Sequence, residues 1–94
     1  MSRDTPHFYS GLLDVTQANT LPSYRIQFSY GTFTVRRETR KRGGSYYVAY
    51  KRLRGHLLKA YIGIAGKVTK QDLHQATMKI SFQADKLGLA YLLS

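Results

Sequence analysis

The groups in this sequence best able to bind or react are cations set among tyrosines. Residues 31–67 hold ten Lys and Arg against a single acid, Glu38, a net charge of +9. The rest of the chain carries five bases and four acids, so the total of +10 is concentrated in one stretch. Cations at that density repel one another. A polyanion bound there relieves the repulsion and releases its own counterions. Tyr46, Tyr50 and Tyr61 interleave with Arg52, Arg54 and Lys59. A phenol hydrogen-bonds phosphate or stacks on a sugar or base, so the combination suits nucleic acid. An anionic membrane is a poorer match, because the segment lacks the amphipathic period of an interfacial helix.

Other chemistries lack their groups. The sequence has no cysteine, which removes disulfides, thiolate zinc sites and thiol nucleophiles. His7, His56 and His74 are far apart and have no carboxylate at ligand spacing, and the five acids are isolated. Gly63-x-x-Gly66 has the spacing of a KH loop, but it follows a strand pattern without the helix pair that loop requires. No phosphate loop, nucleophile elbow or dinucleotide fingerprint is present. The expectation is a binding protein, not an enzyme, with no cofactor and no metal. No apolar run approaches the ~20 residues of a membrane-spanning helix, and the N-terminus shows no apolar signal core. A cytoplasmic or nucleoid-associated protein with no membrane partner is therefore expected.

These side chains need a scaffold, and 94 residues with 43% hydrophobics suffice for one small folded domain. Residues 1–23 are a weakly patterned arm, punctuated by Pro6, Gly11 and Pro22, whose Leu12, Leu13 and Val15 form a short apolar cluster. A single sheet-plus-helix domain is expected over 24–94. Tyr24, Ile26, Phe28 and Tyr30 alternate with polar residues and read as a strand. Phe33 and Val35 resume on the opposite parity, which a turn or bulge at Gly31 explains. A second strand covers 32–38, followed by a basic loop at 39–44. Strands at 45–53 and 56–63 flank Arg54-Gly55, a tight-turn signal. Thr69 to Asp72 reads as an N-cap with an acid at N3. Leu73, Ala76, Ile80, Ala84 and Leu87 then recur at helical spacing, which predicts a helix over 70–87 that Gly88 ends or weakens. The fold class is thus α+β, a three- to four-stranded antiparallel sheet packed on one C-terminal helix.

A two-residue turn at Arg54-Gly55 fixes the faces of the 45–63 hairpin. One face carries Tyr47, Ala49, Lys51 and Leu53 beside His56, Leu58, Ala60 and Ile62, and suits packing against the helix. The other carries Tyr46, Val48, Tyr50 and Arg52 beside Leu57, Lys59 and Tyr61. Cross-strand tyrosines also stabilise sheets without any ligand, whereas Lys and Arg on a sheet face gain nothing from burial. The candidate nucleic-acid-binding residues are Arg36, Arg37, Arg40, Lys41, Arg42, Tyr46, Tyr50, Arg52, Arg54, Lys59 and Tyr61. A ribbon of two or three strands fits the major groove of B-form DNA.

The run from Tyr46 to Gly63, followed by a capped helix near Thr69, resembles the arm-type DNA-binding domain at the N-terminus of tyrosine recombinases and related mobile-element proteins. The likeness covers about residues 33–84. It implies a three-stranded sheet on one helix, with the sheet in the DNA major groove and Arg36, Arg37, Tyr46, Tyr50, Arg52, Arg54 and Lys59 facing DNA. The 94 residues contain no recombinase catalytic domain, and the strand at 24–30 lies outside the basic pattern. What the resemblance implies is an accessory or regulatory binder of a mobile element, phage or transcription system. An RNA-binding module, with Tyr46, Tyr50 and Tyr61 stacking on unpaired bases, is the alternative. A small protein inhibitor of a nucleic-acid enzyme is a third. Leu87, Leu89, Tyr91, Leu92 and Leu93 are too apolar to stay uncovered. They either fold back on the domain or form a homodimer contact.

Overall fold

Alternating apolar residues commit each strand to a buried side, and the chain obeys that alternation. The computed structural model of the chain describes residues 7–9, 18–28 and 31–89. Five strands, β1 (His7–Tyr9), β2 (Ser23–Phe28), β3 (Gly31–Thr39), β4 (Ser45–Leu53) and β5 (His56–Ile64), precede helix α1 (Lys70–Lys86). They form one sheet in the order β1-β2-β3-β4-β5. Strands β2 to β5 are antiparallel neighbours and the helix packs on β4 and β5, the α+β arrangement the sequence predicts. The short β1, which no periodicity marks, adds a parallel edge with His7, Phe8 and Tyr9 opposite Tyr24, Arg25 and Ile26.

The expected parity switch at Gly31 is a hairpin: Phe28 pairs with Gly31, whose φ is 120°. Residues 29 and 30 lie outside the described residues. In the β4–β5 hairpin Leu53 pairs with His56, Lys51 with Leu58 and Ala49 with Ala60, the register a two-residue turn demands. Arg54 and Gly55 both have positive φ, 51° and 82°, as a type I′ turn requires.

The core lies between the sheet and α1. Tyr24, Ile26, Phe33, Val35, Tyr47, Ala49, Leu58, Ala60 and Ile62 from the strands meet Leu73, Ala76, Ile80 and Ala84 from the helix. The helix begins with a reciprocal capping box. The Asp72 N–H donates to Thr69 Oγ1 at 3.1 Å and the Thr69 N–H donates to Asp72 Oδ2 at 3.0 Å. It ends in a Schellman turn: the Leu89 N–H reaches the Ala84 carbonyl and the Gly88 N–H the Asp85 carbonyl, with Gly88 at φ 73°.

Residues 18–22 belong to this core. Ala18 is fully buried, and two core-face tyrosines hold the segment. Tyr24 Oη donates to the Ala18 carbonyl at 3.1 Å and Tyr47 Oη to the Leu21 carbonyl at 2.7 Å. Asn19 ties the segment to the β5–α1 connection. Its Oδ1 accepts from the N–H groups of Gly66 and Val68, and its Nδ2 donates to the Val68 carbonyl. The cluster Leu12, Leu13 and Val15 lies outside the described residues.

The apolar C-terminus divides. Leu87 is the helix C-cap and stays 45% exposed, whereas Leu89 packs partly buried against the core. Tyr91, Leu92 and Leu93 lie outside the described residues. Among the described residues no helix is long and apolar enough to cross a membrane.

Two substitutions test this architecture by urea unfolding. Leu73→Ala should cost about 2–4 kcal/mol through the cavity it leaves between helix and sheet. Asn19→Ala should cost about 1–3 kcal/mol by stripping partners from the Gly66 and Val68 amides. A neutral Asn19→Ala would show that residues 18–22 are not held by that bridge.

Candidate nucleic-acid interface

The face of the sheet turned away from α1 is built by alternate residues of four strands. Register places Arg25 and Gln27 of β2, Thr32, Thr34, Arg36 and Glu38 of β3, and Tyr46, Val48, Tyr50 and Arg52 of β4 on it. Leu57, Lys59 and Tyr61 of β5 complete it. A bulge extends it further. Tyr47 pairs with Gly63 but Val48 with Tyr61, so β5 has one extra residue at Ile62. The bulge shifts the phase of β5 and brings Ile64 opposite Tyr46, on the open face, where it is 53% exposed.

Most of the sequence-predicted residues meet here or at the two ends. Arg36, Tyr46, Tyr50, Arg52, Lys59 and Tyr61 share the open face. Arg40, Lys41 and Arg42 sit in the exposed loop joining β3 to β4, which the Arg40 N–H closes onto the Gly44 carbonyl. Arg54 marks the β4–β5 turn at the opposite end of β4. Arg37 does not join them. One residue on from Arg36, it pairs with Tyr47 on the helix side, and its Nη1 reaches the Thr20 carbonyl. His56, expected on the helix-packing face, flanks the turn and is exposed.

Two members of the face come from outside the +9 segment or against its sign. Arg25, on β2, lies directly opposite Thr34. Glu38 sits amid the tyrosines: Tyr46 Oη donates to its Oε1 at 3.2 Å, and Tyr50 Oη donates to its Oε2. That contact, reinforced by burial and by the carboxylate charge, pushes the Tyr50 phenol up to about 12. Both hydroxyls are thereby committed as donors, so Tyr46 and Tyr50 offer ring faces and oxygen lone pairs rather than free O–H groups. Arg40 stacks 5.0 Å above the Tyr46 ring, and the Tyr46 and Tyr61 rings lie 5.8 Å apart at 32°. Tyr47, on the helix side, is raised by burial alone, with Arg37 opposing the shift.

The β3–β4 ladder ends at Thr34–Tyr50, although β3 continues to Gly31 and β4 to Leu53. An open cleft of about 630 Å³ lies over this parting, lined by Arg25, Thr32, Thr34, Arg36, Tyr50, Lys51, Arg52 and Leu57. Lys51 bridges the parted strands, its Nζ donating to the Thr32 carbonyl at 2.7 Å and lying 5.6 Å from the Phe33 ring centroid. Burial, and then the charge of Arg25, lower its pKa. Among the described residues no cluster of His, Cys, Asp or Glu suits a metal ion. No protein-family description, curated protein or solved structure matches the chain.

The tyrosine–carboxylate contact is testable by titrating the tyrosine ring carbons in NMR spectra. Tyr50 should ionise near 12 and Glu38→Gln should return it towards the ordinary value near 10. Because the folded state favours neutral Tyr50, the stability it lends is complete below pH 10 and is lost as pH climbs towards 12. An unchanged Tyr50 titration in Glu38→Gln would break the link.

Proposed function

We propose that the chain is a non-catalytic nucleic-acid-binding module that grips duplex DNA through the open face of β2 to β5. The observation that carries this reading is the state of the cations on that face. Among the described residues, Arg25, Arg36, Arg52 and Lys59 have neither an ion-pair partner nor a side-chain hydrogen bond, and Glu38 is engaged by the two phenols. Four unneutralised charges on one sheet face raise a positive potential that phosphates relieve. Dimensions support the major groove. Nine-residue β4 spans roughly 30 Å against a groove about 12 Å wide. The middle of the strand then faces base edges, while Arg40 to Arg42 at one end and Arg54 at the other reach flanking phosphates. An accessory or regulatory role, as the resemblance to recombinase arm-type domains implies, fits a binder without catalytic groups.

Arg54 adds a cation at the turn that borders the face. Its φ of 51° is one that Asn or Gly adopts with less strain, yet the turn carries a cation. A second reading has its own observation. Tyr61 is 45% exposed beside Tyr46, with Ile64 exposed opposite Tyr46, a platform on which unpaired RNA bases stack.

Fluorescence anisotropy with duplex DNA, single-stranded DNA and structured RNA across a salt series separates these readings. With about six to eight phosphate contacts, log K for the duplex should fall with log salt at a slope of roughly −5 to −7. A slope near zero removes nucleic acid as the partner, and tighter binding of RNA at equal salt transfers the function to RNA. Arg54→Asn should leave the fold as stable or up to about 1 kcal/mol more so while weakening duplex binding. Equal affinity would take the turn out of the interface.

A further inference from the structure

We propose that Arg25, Arg36 and Arg52, with the hydroxyls of Thr32 and Thr34, form a discrete seat for a single phosphate group where β3 and β4 part. The inference rests on the open face being the binding surface, and it names a place on that face where several donors converge on one anion.

Thr34 is the centre of the arrangement. Arg25 lies directly across from it on β2, and Arg36 follows two residues later on the same face of β3. Tyr50 lies across on β4, with Arg52 two residues further along the same face. Directly paired side chains start about 5 Å apart and diagonal ones about 7–8 Å apart, well within arginine reach. Three guanidiniums from three adjacent strands therefore address one point. The cleft they line contains no carboxylate, and none of the three has an ion pair or side-chain hydrogen bond among the described residues. Guanidinium forks match the oxygen geometry of phosphate, often two bonds at a time, and threonine hydroxyls supply the shorter donors.

The parted strands make the floor. Lys51 shares the core-side parity of Leu58 and gives one of its donors to the Thr32 carbonyl, so it contributes field from below. Its ammonium is disfavoured first by burial and then by the Arg25 charge, and no carboxylate lines the cleft to offset them. An anion in the cleft supplies that compensation. Elsewhere, Lys59 does not line the cleft, and Arg40, in the β3–β4 loop, lies over the Tyr46 ring. The chemistry recognised is one phosphate group. A phosphodiester of a nucleic-acid backbone or a free phosphate monoester supplies it equally well.

The test is an NMR titration of the full-length chain in which chloride is replaced by inorganic phosphate at constant ionic strength. The Arg25, Arg36 and Arg52 side-chain Nε–H signals and the Thr34 amide should shift together and saturate. Arg25→Gln and Arg52→Gln should each weaken that response roughly tenfold, and Lys79→Gln, on the exposed side of α1, should not change it. If Arg25→Gln lowers the melting temperature substantially, Thr34→Val, which keeps a β-branched residue and removes the hydroxyl, reads the same site. Shifts that match those in chloride, or that survive Arg25→Gln in a folded protein, overturn the seat. A duplex arm identifies the source. Displacement of phosphate by duplex DNA assigns the seat to a backbone phosphate. Saturable phosphate binding without any duplex binding leaves the seat standing for a monoester and removes the DNA reading. Salt-dependent duplex binding undiminished by Arg25→Gln takes the seat out of the duplex contact and leaves the DNA reading intact.

Discussion

A sheet with one helix can bury one face, and that imbalance governs the rest of the molecule. Helix α1 presents Leu73, Ala76, Ile80 and Ala84 to the strands, so the aliphatic and small residues of β2 to β5 must all lie on its side. The same demand explains why Tyr24 and Tyr47 are buried there. Each has a hydroxyl long enough to leave the core and satisfy a carbonyl in residues 18–22, so that segment closes the edge the helix does not reach. The opposite face is left to charge and tyrosine. Its composition is therefore a choice made independently of core packing.

That choice carries local costs which core stability does not require. Arg54 occupies a left-handed turn position, Lys51 holds its ammonium half-buried, and three arginines crowd around Thr34 without a counterion among the described residues. Cations concentrated at one stretch are usually spread by natural surfaces, because repulsion works against compactness. Glu38 tempers the face at its tyrosine end by drawing in two hydroxyls, and leaves the arginine end uncompensated. The face is thus polarised along β3, with an aromatic end that holds the Glu38 carboxylate and a cationic cleft at the other.

The elements were legible in the sequence wherever a local rule fixed them. The Arg54-Gly55 turn set the hairpin register, and register set the two faces. The Thr69 cap and the helical spacing from Leu73 to Ala84 located α1. What escaped was non-local. Asn19 bonds to Gly66 and Val68 across 47 and 49 residues, and nothing near Asn19 announces it. Three-residue β1 is too short for periodicity to register, and its pairing is parallel. The bulge opposite Tyr47/Val48, at Ile62 and Gly63, changed the face of Ile64. Charge counted along the chain hid Arg25, which lies outside residues 31–67 yet faces Thr34, and it grouped Arg37 with Arg36 although adjacent strand residues point to opposite sides. Strand parity along β2 and β3 is the signal that separates both.

On the proposed function, the open sheet face, and not net charge alone, binds nucleic acid. Two charge-reversed proteins of identical net charge decide it: Arg52→Glu with Lys59→Glu on the sheet, and Lys70→Glu with Lys79→Glu on the exposed side of α1. Duplex affinity measured at one fixed salt concentration should collapse in the sheet pair and fall only slightly in the helix pair. Equal losses in the two proteins would contradict a face-specific interface.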